Sequence, residues 1–127
     1  KRNGWRFNWK SEFTTPNRLL YKLVVKGGEI IEGLISLELT GTYIEMHLIE
    51  TAPHNFGKSK KWIGVPGNMV AFACKMSFEK GFEGSVGFKP KTMLIQHYIN
   101  TLGARLIYKS RMNIPEHTAR KLVNSYY

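Results

Sequence analysis

The sequence predicts an α+β fold, a mixed and mainly antiparallel sheet with helices packed on it, and three observations lead there. Between residues 19 and 51, three short apolar runs are separated by glycine-bearing turns, the pattern of an antiparallel meander. The third run continues into a basic, glycine-bearing loop and then a helix-length segment closed by Gly81. Beyond it, short strand-like and helix-like segments alternate to the end of the chain, which favours one layered sheet over a bundle or a sandwich.

Taken in order, Trp5, Phe7 and Trp9 stand at alternate positions between Gly4 and Phe13, so this segment is expected to be extended with one buried face. Leu19 to Val25 reads as a strand, and Lys26-Gly27-Gly28 as its turn. Ile30 to Leu39 forms the second strand, with Gly33 inside it. Thr40-Gly41-Thr42 turns the chain into the third, Tyr43 to Thr51. Lys58 to Gly67 is the loop, and Asn68 to Lys80 the helix. Ser85 to Phe88 is a short strand, and Thr92 to Thr101 a helix stopped by Gly103. Arg105 to Ile114 reads as one strand. Pro115, placed at a first helical position, opens a terminal helix that runs to Tyr126.

At 127 residues, 43% of them hydrophobic, the chain is expected to form a single domain, with no repeat and no low-complexity tract. The formal charge of +10 calls for an anionic partner: a nucleotide cofactor, nucleic acid or an anionic surface. Cys74 is the only cysteine, which rules out an internal disulfide and a thiolate metal cluster and suits a reducing, cytoplasmic setting. No run has the length of a membrane span, and no signal peptide is evident. The chain begins at Lys1 rather than Met, so its natural N-terminus is expected to lie upstream.

The strand–loop–helix unit carries the chemistry. A loop that ends at a helix N-terminus presents unpaired N–H groups and the positive end of the helix dipole to an anion. Gly64 and Gly67 allow close approach to the backbone, and Lys58, Lys60 and Lys61 add charge, so a phosphate-bearing ligand is expected there. The plain alternative is a punctuated loop with solvated lysines. Glu50 closes the third strand, either as a general base or as a strand-end carboxylate paired with a lysine. By strand alternation, Glu45 and His47 point to the face opposite Glu50. Tyr98 shares a helical stripe with Leu94 and Leu102, which reads as core. Cys74 lacks a histidine partner and reads as packing, Asn55 as a loop residue, and His54, His97 and His117 as too scattered for a metal site.

From about Leu19 to Ile114 this order resembles the GNAT superfamily, the acetyl-coenzyme A-dependent N-acyltransferases. Lys61-Trp62-Ile63-Gly64-Val65-Pro66 is similar to the family's basic-x-x-Gly-x-Gly/Ala signature, with Pro66 in the last place. Tyr98-Ile99-Asn100-Thr101-Leu102-Gly103-Ala104 is similar to its Tyr-x-x-x-Leu-Gly-Phe signature, with Ala104 replacing the aromatic. Ala52 to Lys58 matches the Ala-Pro-x-Asn-x-Gly-Lys stretch of a small bacterial subgroup. Relative to the family, residues 1–18 lack the usual helix pair, so the N-terminus looks abbreviated and its first strand truncated.

The resemblance implies an acetyltransferase that moves an acetyl group from acetyl-coenzyme A directly to an amine. Lys58, Lys61, Gly64, Val65, Pro66, Gly67, Asn68 and Lys91 would hold the coenzyme, although Pro66 lacks one N–H of the usual pyrophosphate cradle and Lys91 replaces a common asparagine. Backbone N–H groups around Ile49 would polarise the thioester where the sheet splays. Tyr98 would protonate the departing thiolate, and Glu50 would deprotonate the amine. Trp5, Phe7 and Trp9 either line the acceptor pocket or belong to the core. The acceptor is left open, as is a homodimer, and no metal or membrane is implied. The competing readings are a basic nucleic-acid-binding module and a catalytically idle coenzyme-binding fold.

Overall fold

The structure is a computed structural model, and it describes residues 4–55, 64–90, 95–108 and 111–127, with the side chains of 55 and 95–98 excepted. The elements are α1 (Trp9–Thr14), β1 (Leu19–Val24), β2 (Ile31–Leu39), β3 (Ile44–Thr51), a 3₁₀ turn (Pro53–Asn55) and α2 (Val65–Glu79). They continue with β4 (Val86–Phe88), α3 (Ile95–Leu102), β5 (Arg105–Tyr108), β6 (Arg111–Ile114) and α4 (Glu116–Tyr126). Six strands form one sheet in the order β1-β2-β3-β4-β6-β5; only β3 and β4 run parallel.

The expected meander is present, and strand alternation puts Ile35 and Leu37 of β2 and Ile44 and Met46 of β3 on one face, where α2 covers them. Gly33 has a packing reason: a Cβ there would meet the Met69 sulfur and terminal methyl at 2.7 Å, so its absence lets the start of α2 lie close on the sheet. Inside α2, Val70, Ala73, Cys74 and Ser77 are fully enclosed, and the Ser77 hydroxyl donates to the Ser85 carbonyl at 2.9 Å. Burial pushes the Cys74 thiol up to about 12, so the sulfur is a packing group. α4 runs antiparallel to α2: the Arg120 guanidinium stacks on the Phe78 ring at 4.8 Å near one end, and Tyr126 reaches Gly67 near the other.

Four expectations are corrected. The alternate burial of Trp5, Phe7 and Trp9 holds, but the segment does not stay extended: the Asn8 side chain accepts from the Ser11 N–H at 3.0 Å and caps the short helix α1. α2 begins at Val65 rather than Asn68, because Gly64 takes a left-handed conformation (φ 80°) as the N-cap and Pro66 suits a first turn. Arg105 to Ile114 is a hairpin, β5 and β6, rather than one strand.

The fourth correction bears on the site. The β2–β3 register passes from Leu37↔Met46 to Ser36↔Leu48, leaving His47 as an extra residue, a β-bulge. The bulge resets the alternation. Glu45 opposite Glu38 and Glu50 opposite Leu34 therefore share one face, the one away from α2, and are not on opposite faces as strict period 2 predicts.

Candidate active site

The parallel β3–β4 pair holds for only two residue pairs, Ile44↔Val86 and Glu45↔Gly87. Beyond them β3 runs on through the bulge to Thr51 with no β4 partner among the described residues, so the parallel pairing stops where a splay is expected. A clamp marks the paired end. Arg111 of β6 reaches across β4 and donates both terminal nitrogens to Glu45 of β3, at 2.9 and 2.6 Å. Gly87 makes the crossing possible, since a Cβ there would stand 2.9 Å from that guanidinium and 3.0 Å from the Tyr43 ring. The bonds to Glu45 raise the Arg111 pKa, and burial next to the Glu45 carboxylate raises that of Tyr43.

The face away from α2 is acidic although the chain is basic. His47 Nε2 lies 2.7 Å from a Glu38 oxygen, Arg18 donates to both Glu12 and Glu38, and the Ser36 hydroxyl donates to Glu12 at 2.6 Å. These contacts hold α1 onto that face. Glu50 is 5% exposed and accepts from the Arg6 N–H (2.5 Å), the Phe7 N–H (3.2 Å) and the Trp9 indole N–H (2.8 Å). Its role in this conformation is to anchor the N-terminal segment. None of these three described donors is a lysine.

The second part of the site is the N-terminus of α2. The Asn68 N–H closes the first turn on the Gly64 carbonyl at 2.9 Å, Pro66 has no N–H, and the N–H groups of Val65 and Gly67 have no acceptor within the helix. A groove of about 210 Å³ lies beside this turn, lined by Leu23, Val24, Glu32, Gly64, Asn68 and Tyr126. The Tyr126 hydroxyl packs on Gly67 so closely that a Cβ on Gly67 would be 2.4 Å from it. Gly67 thus makes room for a tyrosine of α4, a role that nothing in its own neighbourhood of sequence indicates. Tyr127 adds a long hydrogen bond to the Asn68 side chain at 3.4 Å.

No protein-family model matches the sequence, and no curated protein matches it significantly. Solved structures do match in shape. The KacTA–DNA complex superimposes with a TM-score of 0.63 at 12% identity, over 91% of this chain and 79% of that one. Nourseothricin acetyltransferase gives 0.54 at 18% identity, over 79% of this chain and 66% of that one. An AtaT mutant toxin bound to the C-terminus of the antitoxin AtaR and acetyl-CoA gives 0.53 at 12% identity, over 72% of this chain and 63% of that one. The chain shares the fold of these structures, a GNAT-like α+β fold. It spans just under two thirds of two of these neighbours.

On the GNAT fold, the expected site residues fall into two groups. Gly64, Val65, Pro66, Gly67 and Asn68 come together in the first turn of α2, and Ile49 and Glu50 lie on β3 beyond its pairing with β4. Tyr98 belongs to α3, but its side chain, like Lys58, Lys61 and Lys91 entirely, lies outside the described residues. Among the described residues, no three His, Cys, Asp or Glu side chains are grouped as a metal site, and no helix is long and apolar enough to cross a membrane. Two residues gain a place that sequence reasoning missed. Glu32, 3% exposed, holds His54 Nε2 at 2.7 Å across 22 residues of chain. Glu32 stands in no motif and His54 only at a variable position of the Ala52–Lys58 stretch, and the β2–β3 register brings them together.

Proposed function

We propose that this protein is an acyl-coenzyme A-dependent N-acetyltransferase that transfers an acetyl group directly to an amine. The observation that carries the reading is the short parallel pair: described pairing stops after Glu45↔Gly87, and the helix that follows β3 begins with Val65 and Gly67 N–H groups that have no acceptor within it. The first turn of α2 takes the coenzyme pyrophosphate, with Gly64 and Asn68 beside it and Lys58, Lys61 and Lys91 as charge partners. With Pro66 lacking an N–H, the cradle relies more on those lysines than on backbone donors. The pantetheine arm enters between β3 and β4, and an N–H near Ile49 polarises the thioester. Tyr98 is assigned to protonate the leaving thiolate. Glu50, sealed by three donors, serves as proton acceptor only if the N-terminal segment moves.

AtaT is seen with acetyl-CoA, and nourseothricin acetyltransferase is an acetyltransferase by name, which supports the coenzyme here. A second reading has one observation behind it: KacTA is seen in complex with DNA, and a +10 chain suits a polyanion. A thermal-shift comparison separates the two. Acetyl-coenzyme A at a hundredfold excess over its Kd should stabilise the folded state by about 2.7 kcal/mol, with a matching rise in Tm. No shift with millimolar coenzyme, together with a salt-sensitive shift on single-stranded DNA or RNA, refutes the first reading in favour of the second.

A further inference from the structure

A second cleft, of about 450 Å³, lies past the end of β3 and is separate from the α2 groove. Trp5, Ile30, Ile31, Ala52 and Pro53 give it apolar walls, and Glu29 and His54 give it two polar groups. His54 is fixed by the buried Glu32 carboxylate, which itself lines the α2 groove, so this pair bridges the two cavities. We propose that the cleft is the acceptor subsite and takes a primary alkylammonium with an apolar body, and that His54 removes its proton. This rests on the coenzyme reading above for the transfer step, although not for the binding.

The chemistry of the lining selects that ligand. A half-buried indole and a carboxylate at one cleft favour a cation over a neutral or anionic group, and the isoleucines and Pro53 favour an apolar body behind it. An imidazole whose Nε2–H donates to a buried carboxylate has its acceptor lone pair on Nδ1. Among the described residues, Glu32 on β2 holds that ring and Glu29, in the turn before β2, lines the same cleft, and both carboxylates favour drawing a cationic amine in. Glu50, the other carboxylate nearby in the chain, is occupied by the N-terminal segment, which leaves His54 as the accessible base, with its side chain 39% exposed. In the step, R–NH3⁺ gives one proton to Nδ1, and the freed lone pair attacks the thioester carbonyl carbon. A C–N bond forms, the C–S bond breaks, Tyr98 protonates the departing thiolate, and the second N–H proton restores the phenol. His54 returns its proton to water, so the products are amide, thiol and one proton.

Phenethylammonium is the probe, and its neutral isostere phenethyl alcohol the control. Calorimetry on the whole chain should show saturable binding of the amine and at least tenfold weaker binding of the alcohol. Trp5→Ala and Glu29→Gln should each weaken the amine by about tenfold with an unchanged circular dichroism spectrum. Amine-dependent thiol release from acetyl-coenzyme A should fall roughly 10²-fold in His54→Gln at saturating amine, with coenzyme binding within twofold of wild type. Absent amine binding, equal binding of the alcohol, or full binding in both cleft variants overturns the subsite. Coenzyme binding without amine-dependent thiol release in wild type, or full turnover in His54→Gln, overturns the role of His54. Amine binding by a protein that binds no coenzyme upholds the subsite and refutes the acetyltransferase reading instead.

Discussion

Glu50→Gln is the substitution that best separates an anchoring carboxylate from a catalytic one. In the native protein one oxygen accepts from the Arg6 N–H at 2.5 Å, and the other from the Phe7 N–H at 3.2 Å and the Trp9 indole at 2.8 Å. A glutamine has one acceptor oxygen. Turned toward Phe7 and Trp9, it keeps two neutral hydrogen bonds and sets an NH2 against the Arg6 N–H. The loss is then one charge-assisted bond and the charge contribution to two others, about 2–4 kcal/mol at a site only 5% exposed. At this chain length that corresponds to a Tm lower by roughly 10 °C. Trp9→Phe removes a single donor and should cost about 1–2 kcal/mol. The two changes touch the same contact, so a double-mutant cycle should return a coupling of about 1 kcal/mol. Urea unfolding followed by circular dichroism gives the energies, and hydrogen exchange over residues 5–15 shows whether the N-terminal segment opens on its own. A Glu50→Gln protein within 0.5 kcal/mol of wild type, with zero coupling to Trp9, would refute the anchoring account.

Arg111→Lys keeps the charge but loses the two-pronged contact with Glu45; it should cost about 1–2 kcal/mol in urea unfolding and increase exchange at the β3–β4 junction. Gly84→Ala places a Cβ at φ 77°, 2.5 Å from the Phe78 ring and 2.8 Å from Ala119, so a loss of about 2–5 kcal/mol is expected from strain and overpacking together. Cys74 should resist iodoacetamide at pH 8 in the folded protein and react once urea unfolds it. Its raised folded-state pKa also has a sign. The protonated thiol is favoured by folding, so this contribution is intact below the unfolded value of 9.0 and is lost as pH rises toward about 12. Cys74→Ala should flatten that part of the stability curve, as read from urea midpoints between pH 8 and 11.

Much of the architecture follows from local sequence. Short apolar runs between glycine-bearing turns mark β1 to β3, and Pro66 and Pro115 mark helix starts, because each depends on neighbours within a turn or a strand. Gly103 likewise stops α3 locally, with φ 68°. The basic, glycine-bearing entry to α2 is equally visible, and the α+β class and the GNAT resemblance followed from the order of such segments. The rest was decided by contacts between distant residues. One bulge residue, His47, reverses the alternation along β3, and its cause is the register against β2, so period 2 put Glu45 and Glu50 on opposite faces when they share one. Gly67 reads as a phosphate contact, and nothing local shows that it also makes room for Tyr126 from the last turn of α4. Glu50 reads as a strand-end carboxylate, and nothing local shows that Arg6, Phe7 and Trp9, more than 40 residues earlier, donate to it. Glu32 and His54 meet for the same reason. Hydrogen bonds and packing between residues far apart in sequence leave no local periodicity to read, so only the folded sheet could assign those side chains.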